Sequence, residues 1–231
     1  MKTLVLVAHP EVKDSGTQQF LKEAVKSTQN VSRRELVLDQ TGTFHANQEM
    51  QDVLACDRII FQFPLYWYSA PALLHQWLAD CLVTPYREKL RGKELGLVVT
   101  TGRPAAEFAA GKAQHFSLSE ILRPFSALAL NLGLKELPAF IVAQFAYQTE
   151  EQHQQLLIDY CQYLELPADF SFRQQEEWSV ERLKKLSRLE NDPAAQQLLL
   201  QLADLIDERS ERLAELKEEI QMIKDVEEGD Q

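Results

Sequence analysis

The chain has 231 residues and a formal net charge of −11, from 24 Lys and Arg against 35 Asp and Glu. This length is enough for one domain with an appended segment and for a sizeable buried core. The negative charge repels phosphate backbones and argues against nucleic acid as the main partner. No apolar run reaches the roughly 18 residues of a membrane span, and the N-terminus has no secretory pattern, so we expect a cytoplasmic protein.

The cysteines and histidines show neither a disulfide framework nor a metal-binding pattern. Cys56, Cys81 and Cys161 are widely separated and odd in number, which favours thiols in the core. The five histidines lack the spacing of metal ligands. We therefore predict no metal site.

Short apolar runs alternate with segments of helical periodicity through the first part of the chain. The runs are residues 4–8, 35–38, 59–63, 95–100 and 140–143, and the helical segments are 18–28, 48–55, 71–83, 118–132 and 149–164. Strands that alternate with helices predict a parallel sheet covered on both faces. The expected fold class is α/β: a flavodoxin-like, doubly wound sheet of five parallel strands in the order 2-1-3-4-5 over residues 1–168, with a C-terminal helical extension.

The first predicted strand leads through His9-Pro10 into a polar turn at the start of a helix. Ser15, Gly16, Thr17 and Gln18 occupy this turn. Free backbone N–H groups at a helix N-terminus bind anions, and hydroxyl groups add donors. Simple N-capping by Asp14 or Ser15 explains the same turn without a ligand.

The third predicted strand runs into a loop that contains three consecutive aromatic residues. The loop reads Pro64-Leu65-Tyr66-Trp67-Tyr68. In an open parallel sheet the ligand lies beyond the C-terminal strand ends, at the switch point between the first and third strands. Aromatic side chains there favour a flat ligand, or they cover the end of the sheet or an oligomer interface.

A third turn follows the fourth predicted strand. It reads Thr100-Thr101-Gly102-Arg103-Pro104 and lies next to the same switch point in a 2-1-3-4-5 sheet. A turn of this composition is common, so by itself it indicates no ligand. Together with the two preceding loops it becomes a candidate wall of one pocket.

The pattern changes after residue 166, in a region that is strongly acidic. Residues 176–231 carry 8 Lys and Arg against 16 Asp and Glu, a net charge of −8. We predict a linker at 167–178, a short helix at about 179–190 and a long helix at 193–224, both within a unit formed by residues 169–231. The long helix carries a heptad seam interrupted by a single arginine. The seam consists of Leu199, Leu202, Ile206, Arg209, Leu213, Leu216, Ile220 and Ile223.

This seam has three interpretations. It pairs with the same helix of another subunit, folds back on the residues of the shorter helix, or lies against the preceding domain. The mixed charges along it do not define an orientation. The helices also offer a surface for a peripheral protein partner.

Three motifs in order resemble one family. They are Ala8-His9-Pro10 with Ser15 six residues after the histidine, residues 63–68 followed by Pro71, Leu74, Trp77 and Asp80, and Thr100-Thr101-Gly102. Over about residues 1–165 the chain is similar to the flavodoxin-like NAD(P)H:quinone oxidoreductases, the family of DT-diaphorase and of the ancillary quinone reductases of potassium-efflux systems. The resemblance implies an enzyme, specifically a flavin-dependent NAD(P)H dehydrogenase of quinones.

The resemblance also implies a cofactor and its position. The cofactor is FMN rather than FAD, with NAD(P)H as co-substrate and a small quinone or similar electrophile as acceptor, in a homodimer whose active site lies at the subunit interface. Hydride transfer passes in a ping-pong sequence through flavin N5. The phosphate and ribityl chain are implied at His9, Ser15, Thr17 and Gln18, and the ring at Pro64, Leu65, Tyr66, Trp67, Thr100, Thr101 and Gly102. Tyr66, Trp67 and Arg103 are candidate neighbours of the ring or the substrate.

The chain departs from the family pattern in two places. Arg103 stands where a second glycine is usual, and residues 83–93 replace a longer glycine-rich segment. An arginine there either obstructs the ring or stabilises the negative charge of a reduced flavin. Together with the acidic C-terminal region, these departures motivate an alternative function, a flavodoxin-like regulatory or interaction subunit with weak or no catalysis.

Overall fold

The structure, a computed structural model, describes residues 1–229, and the side chains of this range except those of residues 84 and 226–229. It divides into two compact units, Met1–Glu165 and Leu166–Gln231. The first unit is built on a parallel sheet. Its strands are β1 (Thr3–Val7), β2 (Val31–Glu35), β3 (Arg58–Pro64), β4 (Glu94–Thr101), β5 (Lys135–Glu136) and β6 (Phe140–Ala143).

The order of the strands confirms the predicted fold class. The sheet runs β2-β1-β3-β4, and both β5 and β6 pair with β4. β5 lies beside the start of β4 and β6 beside its end. β6 is the predicted fifth strand at residues 140–143, and β5 is an additional short strand that was not predicted. Pro138 lies between β5 and β6. A proline has no N–H to donate to the sheet, which accounts for the break.

The prediction for the second strand was wrong. We expected residues 35–38, whereas β2 is Val31–Glu35. β2 is the edge strand and pairs only with β1, so it needs no continuous apolar run and carries two arginines. The apolar run lies where the chain leaves the sheet, and Val37 is 74% exposed.

Seven α-helices cover this sheet within the described residues. They are α1 (Gly16–Lys26), α2 (Ala46–Ala55), α3 (Ala72–Cys81), α4 (Thr84–Leu90), α5 (Leu118–Ile121), α6 (Arg123–Leu132) and α7 (Glu150–Glu165). Two of them correct the sequence-based assignment. Residues 83–93 contain α4, which begins with Pro85 in its first turn. The expected helix at 118–132 is two helices, because Pro124 starts a new helix just after Leu122.

The core between the sheet and its helices is aromatic on one face. Trp77 of α3 is fully buried, and its ring meets that of Phe61 edge-on at 5.7 Å between centroids. The indole N–H of Trp77 donates to the Glu49 carboxylate at 2.7 Å, so the one polar atom of this buried side chain is satisfied. The three cysteines are buried as free thiols.

The second unit contains a helical hairpin. Its helices are α8 (Phe172–Leu189) and α9 (Pro193–Gly229). Lys184 of α8 lies 3.6 Å from Asp207 of α9, and the hydroxyl of Ser210 donates to Glu176 at 2.9 Å. The long helix therefore folds back on the shorter one, which was one of the three interpretations of its apolar seam.

Both helices of this unit are longer than predicted. α8 starts at residue 172, inside the expected linker at 167–178, because Ser171 and Gln174 form a capping box. α9 continues to Gly229 rather than ending at 224. Within the described residues, no helix has a stretch long and apolar enough to cross a membrane.

Candidate functional site

A cleft of about 270 Å³ opens at the C-terminal ends of β1, β3, β4 and β6. Nine of the residues predicted from the sequence line it. They are His9, Ser15, Thr17, Pro64, Leu65, Tyr66, Thr100, Thr101 and Gly102. Loops that lie far apart in the sequence thus converge at the switch point of the sheet, where such folds bind their ligands.

One wall of the cleft is the N-terminus of α1. Ser15 is its N-cap, and the Ser15 hydroxyl oxygen accepts a hydrogen bond from the backbone N–H of Gln18 at 3.3 Å. In the described part of the chain, the backbone N–H groups of Gly16 and Thr17 have no acceptor. Capping therefore occurs, as the simpler interpretation held, and it still leaves two donors and the positive end of the helix dipole for an anion.

His9 presents a proton donor beside this helix end. Its Nδ1 accepts the backbone N–H of Glu11 at 3.0 Å, so in the neutral ring the proton is on Nε2. Partial burial lowers the pKa of His9 below its ordinary value, and the hydrogen bond with Glu11 opposes this effect only partly. At neutral pH the side chain is therefore an uncharged Nε2–H donor.

The aromatic loop is a tight two-residue turn. The backbones of Tyr66 and Ser69 exchange hydrogen bonds of 3.0 and 2.9 Å. Trp67 and Tyr68 at its tip have φ values of 49° and 62°, in the left-handed region that glycine and asparagine usually occupy. Backbone strain of this kind persists where the surroundings require it, often in ligand-binding loops.

This turn separates its three aromatic side chains. Tyr66 lines the cleft, whereas Trp67 does not and is 95% exposed. The hydroxyl of Tyr68 donates to the Gln114 side chain at 3.0 Å. Tyr68 and Gln114 belong to a second, wider concavity of about 470 Å³. We favour the smaller cleft as the site because the turn after β1 and the ends of three more strands converge only there.

The turn after β4 forms the opposite wall. The backbone N–H of Leu65 donates to the carbonyl of Thr100 at 2.8 Å, which joins this turn to the aromatic loop. A Cβ atom added to Gly102 would have nothing within 4 Å. Gly102 is therefore not required by packing, and it leaves open space in the cleft. Arg103, which follows it, is exposed and does not line the cleft.

Gln18 is not in the cleft, contrary to the sequence-based expectation. Its side chain is fully buried, and its Oε1 accepts from Nε2 of Gln62 at 2.6 Å. The Gln62 Oε1 in turn accepts from the hydroxyl of Tyr160 at 2.7 Å. The side chain after Thr17 points towards the sheet because successive residues of a helix are rotated by about 100°.

The segment that closes the cleft on the β6 side was not predicted from the sequence. Val142 and residues 144–147 line it. The rings of Phe145 and Phe20 pack with their centroids 5.1 Å apart. The backbone carbonyl oxygen of Phe145 lies 3.0 Å from Nε2 of His153. The predicted strand order contained the signal, because it places the C-terminal end of the 140–143 strand beside Thr100 and Thr101.

Comparisons with known proteins agree with this architecture. A family model described as a flavodoxin-like fold matches residues 1–164. An uncharacterized NAD(P)H oxidoreductase of Bacillus subtilis, YdeQ, is 42% identical over 148 residues, 61% of this chain and 74% of that protein. The chain belongs to this flavodoxin-like family. The resemblance to the NAD(P)H:quinone oxidoreductases stated from the sequence motifs is thereby confirmed.

Two solved structures of flavodoxin-like proteins extend the comparison. An NADPH-quinone reductase from P. pentosaceus is 44% identical with a TM-score of 0.69, and the match covers 72% of this chain and 99% of that one. General stress protein 14 from Treponema denticola, solved in complex with FMN, is 30% identical with a TM-score of 0.64, over 71% of this chain and 98% of that one. The family match ends at residue 164, so α8 and α9 lie outside it.

Proposed function

We propose that this chain is an FMN-dependent NAD(P)H:quinone oxidoreductase that acts in the cytoplasm. The observation that carries the proposal is the convergence of four strand ends on one cleft, with free helix N–H groups on one wall and an unfilled glycine on another. Relatives named NAD(P)H oxidoreductase and NADPH-quinone reductase support the reaction class. The relative solved with FMN supports the cofactor.

The donor set at the start of α1 fits a phosphate group. The N-terminal end of α1 carries three donors: the backbone N–H groups of Gly16 and Thr17 and the Thr17 hydroxyl. The helix dipole favours negative charge at this end. The Nε2–H of His9 adds an uncharged donor. We assign the FMN phosphate to these residues, with Gln18 removed from the set.

The rest of the cleft fits a flat ring. Gly102 offers no side chain, Pro64 offers no N–H, and Leu65 and Tyr66 supply an apolar wall. FMN, when bound, supplies the two-electron chemistry that NAD(P)H and a quinone use in turn. Pro64, Leu65, Tyr66 and Gly102 would hold the ring and exclude water from it, and the ping-pong sequence is part of the proposal. We also propose that the protein is a homodimer, and that Trp67 at the tip of its turn is a candidate contact between the subunits.

The alternative of a weakly catalytic regulatory subunit rested on Arg103, on residues 83–93 and on the acidic C-terminal region. Arg103 does not line the cleft, and most of the 83–93 segment is the ordered helix α4. The acidic helices α8 and α9 are compatible with either function, so none of these features favours the alternative over the enzyme. The two differ in one measurement, the rate of NAD(P)H oxidation by the flavin-loaded protein when a quinone is added.

The proposal is tested by the absorption spectrum, FMN affinity and activity of the purified protein. We expect flavin bands, and consumption of NADPH when menadione is added. Thr17→Glu places a carboxylate where the phosphate is proposed and should weaken FMN binding at least about tenfold, measured by quenching of FMN fluorescence. The helix should tolerate this change, because an acidic residue suits a helix N-terminus.

Gln48→Glu is the matched control for this variant. It adds the same charge to the exposed first turn of α2, away from the cleft, and should leave the FMN affinity unchanged. Colourless protein that takes up no added FMN would overturn the proposal. Equal FMN affinities of the two variants would exclude the assigned phosphate position.

A further inference from the structure

The helix α9 has two apolar faces, and α8 covers only one of them. Five positions spaced by three or four residues form the inner face, which packs on α8; Ala203 at its centre is fully buried. The inner positions are Leu199, Ala203, Ile206, Ser210 and Ala214. The predicted heptad seam combined two of these residues with others that lie elsewhere on the helix.

The second face, which we call the outer stripe, is exposed. Successive residues of a helix are rotated by about 100° about its axis. The outer stripe therefore lies about 100° around the axis from the inner face. Its members are Leu198, Leu202, Leu205, Arg209, Leu213, Leu216, Ile220 and Ile223. The seven apolar side chains are between 37% and 60% exposed. From residue 198 to residue 223 the stripe is roughly 38 Å long.

The C-terminal half of α9 extends past its partner helix in the hairpin. Gln196 donates to the carbonyl of Glu190 at 2.6 Å, and Ser210 reaches Glu176 near the other end of α8. At this register α8 begins near residue 214 of α9. The last turns of α9, with Ile220 and Ile223, thus have an exposed apolar face beyond the end of α8.

We propose that a second copy of this chain covers the outer stripe, with the two α9 helices antiparallel. When a second α9 helix runs in the opposite direction, the residues of its stripe face those of the first. This match arises because the stripe positions are nearly symmetric about residues 210 and 211. The resulting pairs are Leu198 with Ile223, Leu202 with Ile220, Leu205 with Leu216, and Arg209 with Leu213, each occurring twice. A surface that is complementary to itself under reversal is what an isologous two-fold interface requires.

The charges beside the stripe fit the same arrangement. Glu208 and Arg212 lie on one flank of the stripe, and the same register places Glu208 of one copy against Arg212 of the other, twice. A parallel pair in register would instead place Arg209 against Arg209 in the middle of the interface. Opposite charges across the antiparallel interface therefore favour a second copy in that orientation over a parallel one.

Disulfide trapping of the full-length chain tests the pairing. Leu205→Cys with Leu216→Cys should form a covalent dimer in mild oxidant, visible on a non-reducing gel. Leu205→Cys alone should not, because the two copies of residue 205 would lie 11 residues apart along the pair, roughly 16 Å, beyond the reach of a disulfide. The native cysteines are buried and should contribute little background.

The matched control uses the other side of α9. Leu200 and Met222 are 43% and 60% exposed and have the same reversed register, but they lie away from the stripe. The Leu200→Cys, Met222→Cys variant should give at least about tenfold less dimer, since only collisions join its thiols. Adding Leu213→Glu and Ile220→Glu to the stripe variant should abolish trapping, and far-UV circular dichroism should show that the helices remain.

Two results would overturn the proposal. Equal trapping by the stripe and control pairs would show that no second copy covers the stripe and would leave it to a different protein. Efficient trapping by Leu205→Cys alone would show parallel pairing. Neither result depends on flavin, so the test is independent of the proposed enzyme function.

Discussion

Gly96 and Gly102 lie on and just after the same strand, and they are glycines for different reasons. A Cβ atom at Gly96 would meet the Tyr163 hydroxyl and would lie 2.6 Å from Cδ1 of Ile60. The same atom at Gly102 would meet nothing within 4 Å. Packing within the protein requires the first glycine. The second leaves space that we assign to the flavin ring.

Substitutions at the two glycines should affect different properties, FMN binding at Gly102 and stability at Gly96. Gly102→Val should reduce the affinity for FMN at least about tenfold while the melting temperature of the flavin-free protein stays unchanged. Gly96→Ala should lower the free energy of unfolding by about 1–3 kcal/mol, because overpacking forces neighbours to move. Fluorescence titration and thermal melting measure the two effects. Unchanged FMN affinity of Gly102→Val would show that the ring lies elsewhere.

Thr17 and Gln18 differ in how far their surroundings can be predicted from the sequence. The position of Thr17 in the cleft and the burial of Gln18 follow from helix geometry once the start of α1 is known. The partner of Gln18 does not, since Gln62 lies 44 positions away in the sequence. A buried amide that binds another side chain is indistinguishable, in sequence alone, from an amide that binds a ligand.

At the scale of elements, a hydrogen-bonded chain of three buried side chains joins a strand to two helices. It runs from Tyr160 of α7 through Gln62 of β3 to Gln18 of α1. Burial raises the pKa of the Tyr160 hydroxyl, so it stays protonated as the donor. The network holds α1, and with it the proposed phosphate site, against the sheet.

Tyr160→Phe should therefore destabilise the protein by about 1–3 kcal/mol, because the Gln62 Oε1 would lose its donor while staying buried. Tyr147→Phe removes a hydroxyl from a side chain that is 81% exposed and should leave the stability unchanged. Urea unfolding of both variants without flavin measures the difference. Equal stabilities would show that a water molecule replaces the lost donor.

The elements that sequence analysis predicted well are those whose environment is uniform. β1 and β3 are buried on both faces, so their composition alone identifies them. The edge strand β2 was misplaced because it pairs on one side only and its residues are only partly buried, so it lacks a continuous apolar run. The start of α8 was missed because its first turns are polar and only the Ser171–Gln174 cap indicates them.

At the scale of the whole molecule, the chain joins a family domain to a helical unit that the family match does not include. The family match ends at residue 164, close to the division after Glu165. Relatives such as the P. pentosaceus reductase correspond over 99% of their length to 72% of this chain. The first unit should therefore fold without the helices.

A chain that ends at Pro167 should bind FMN with the affinity of the full-length protein, within a factor of about two. The physical reason is that the residues lining the cleft all precede residue 148. Fluorescence titration of both proteins makes the comparison. Loss of FMN binding in a shortened chain that keeps its circular dichroism would mean that the helices contribute to the site.

The burial of the cysteines has a chemical consequence. Quinones alkylate thiolates, so a quinone-reducing protein with reactive sulfur would be consumed by its own substrate. Here all three thiols are buried, and burial raises the pKa of Cys56 to about 11 and that of Cys81 to about 12. The folded chain thus keeps Cys56 and Cys81 protonated, and it keeps all three thiols away from solvent. Such burial would protect the protein from alkylation by the electrophiles that it is proposed to reduce.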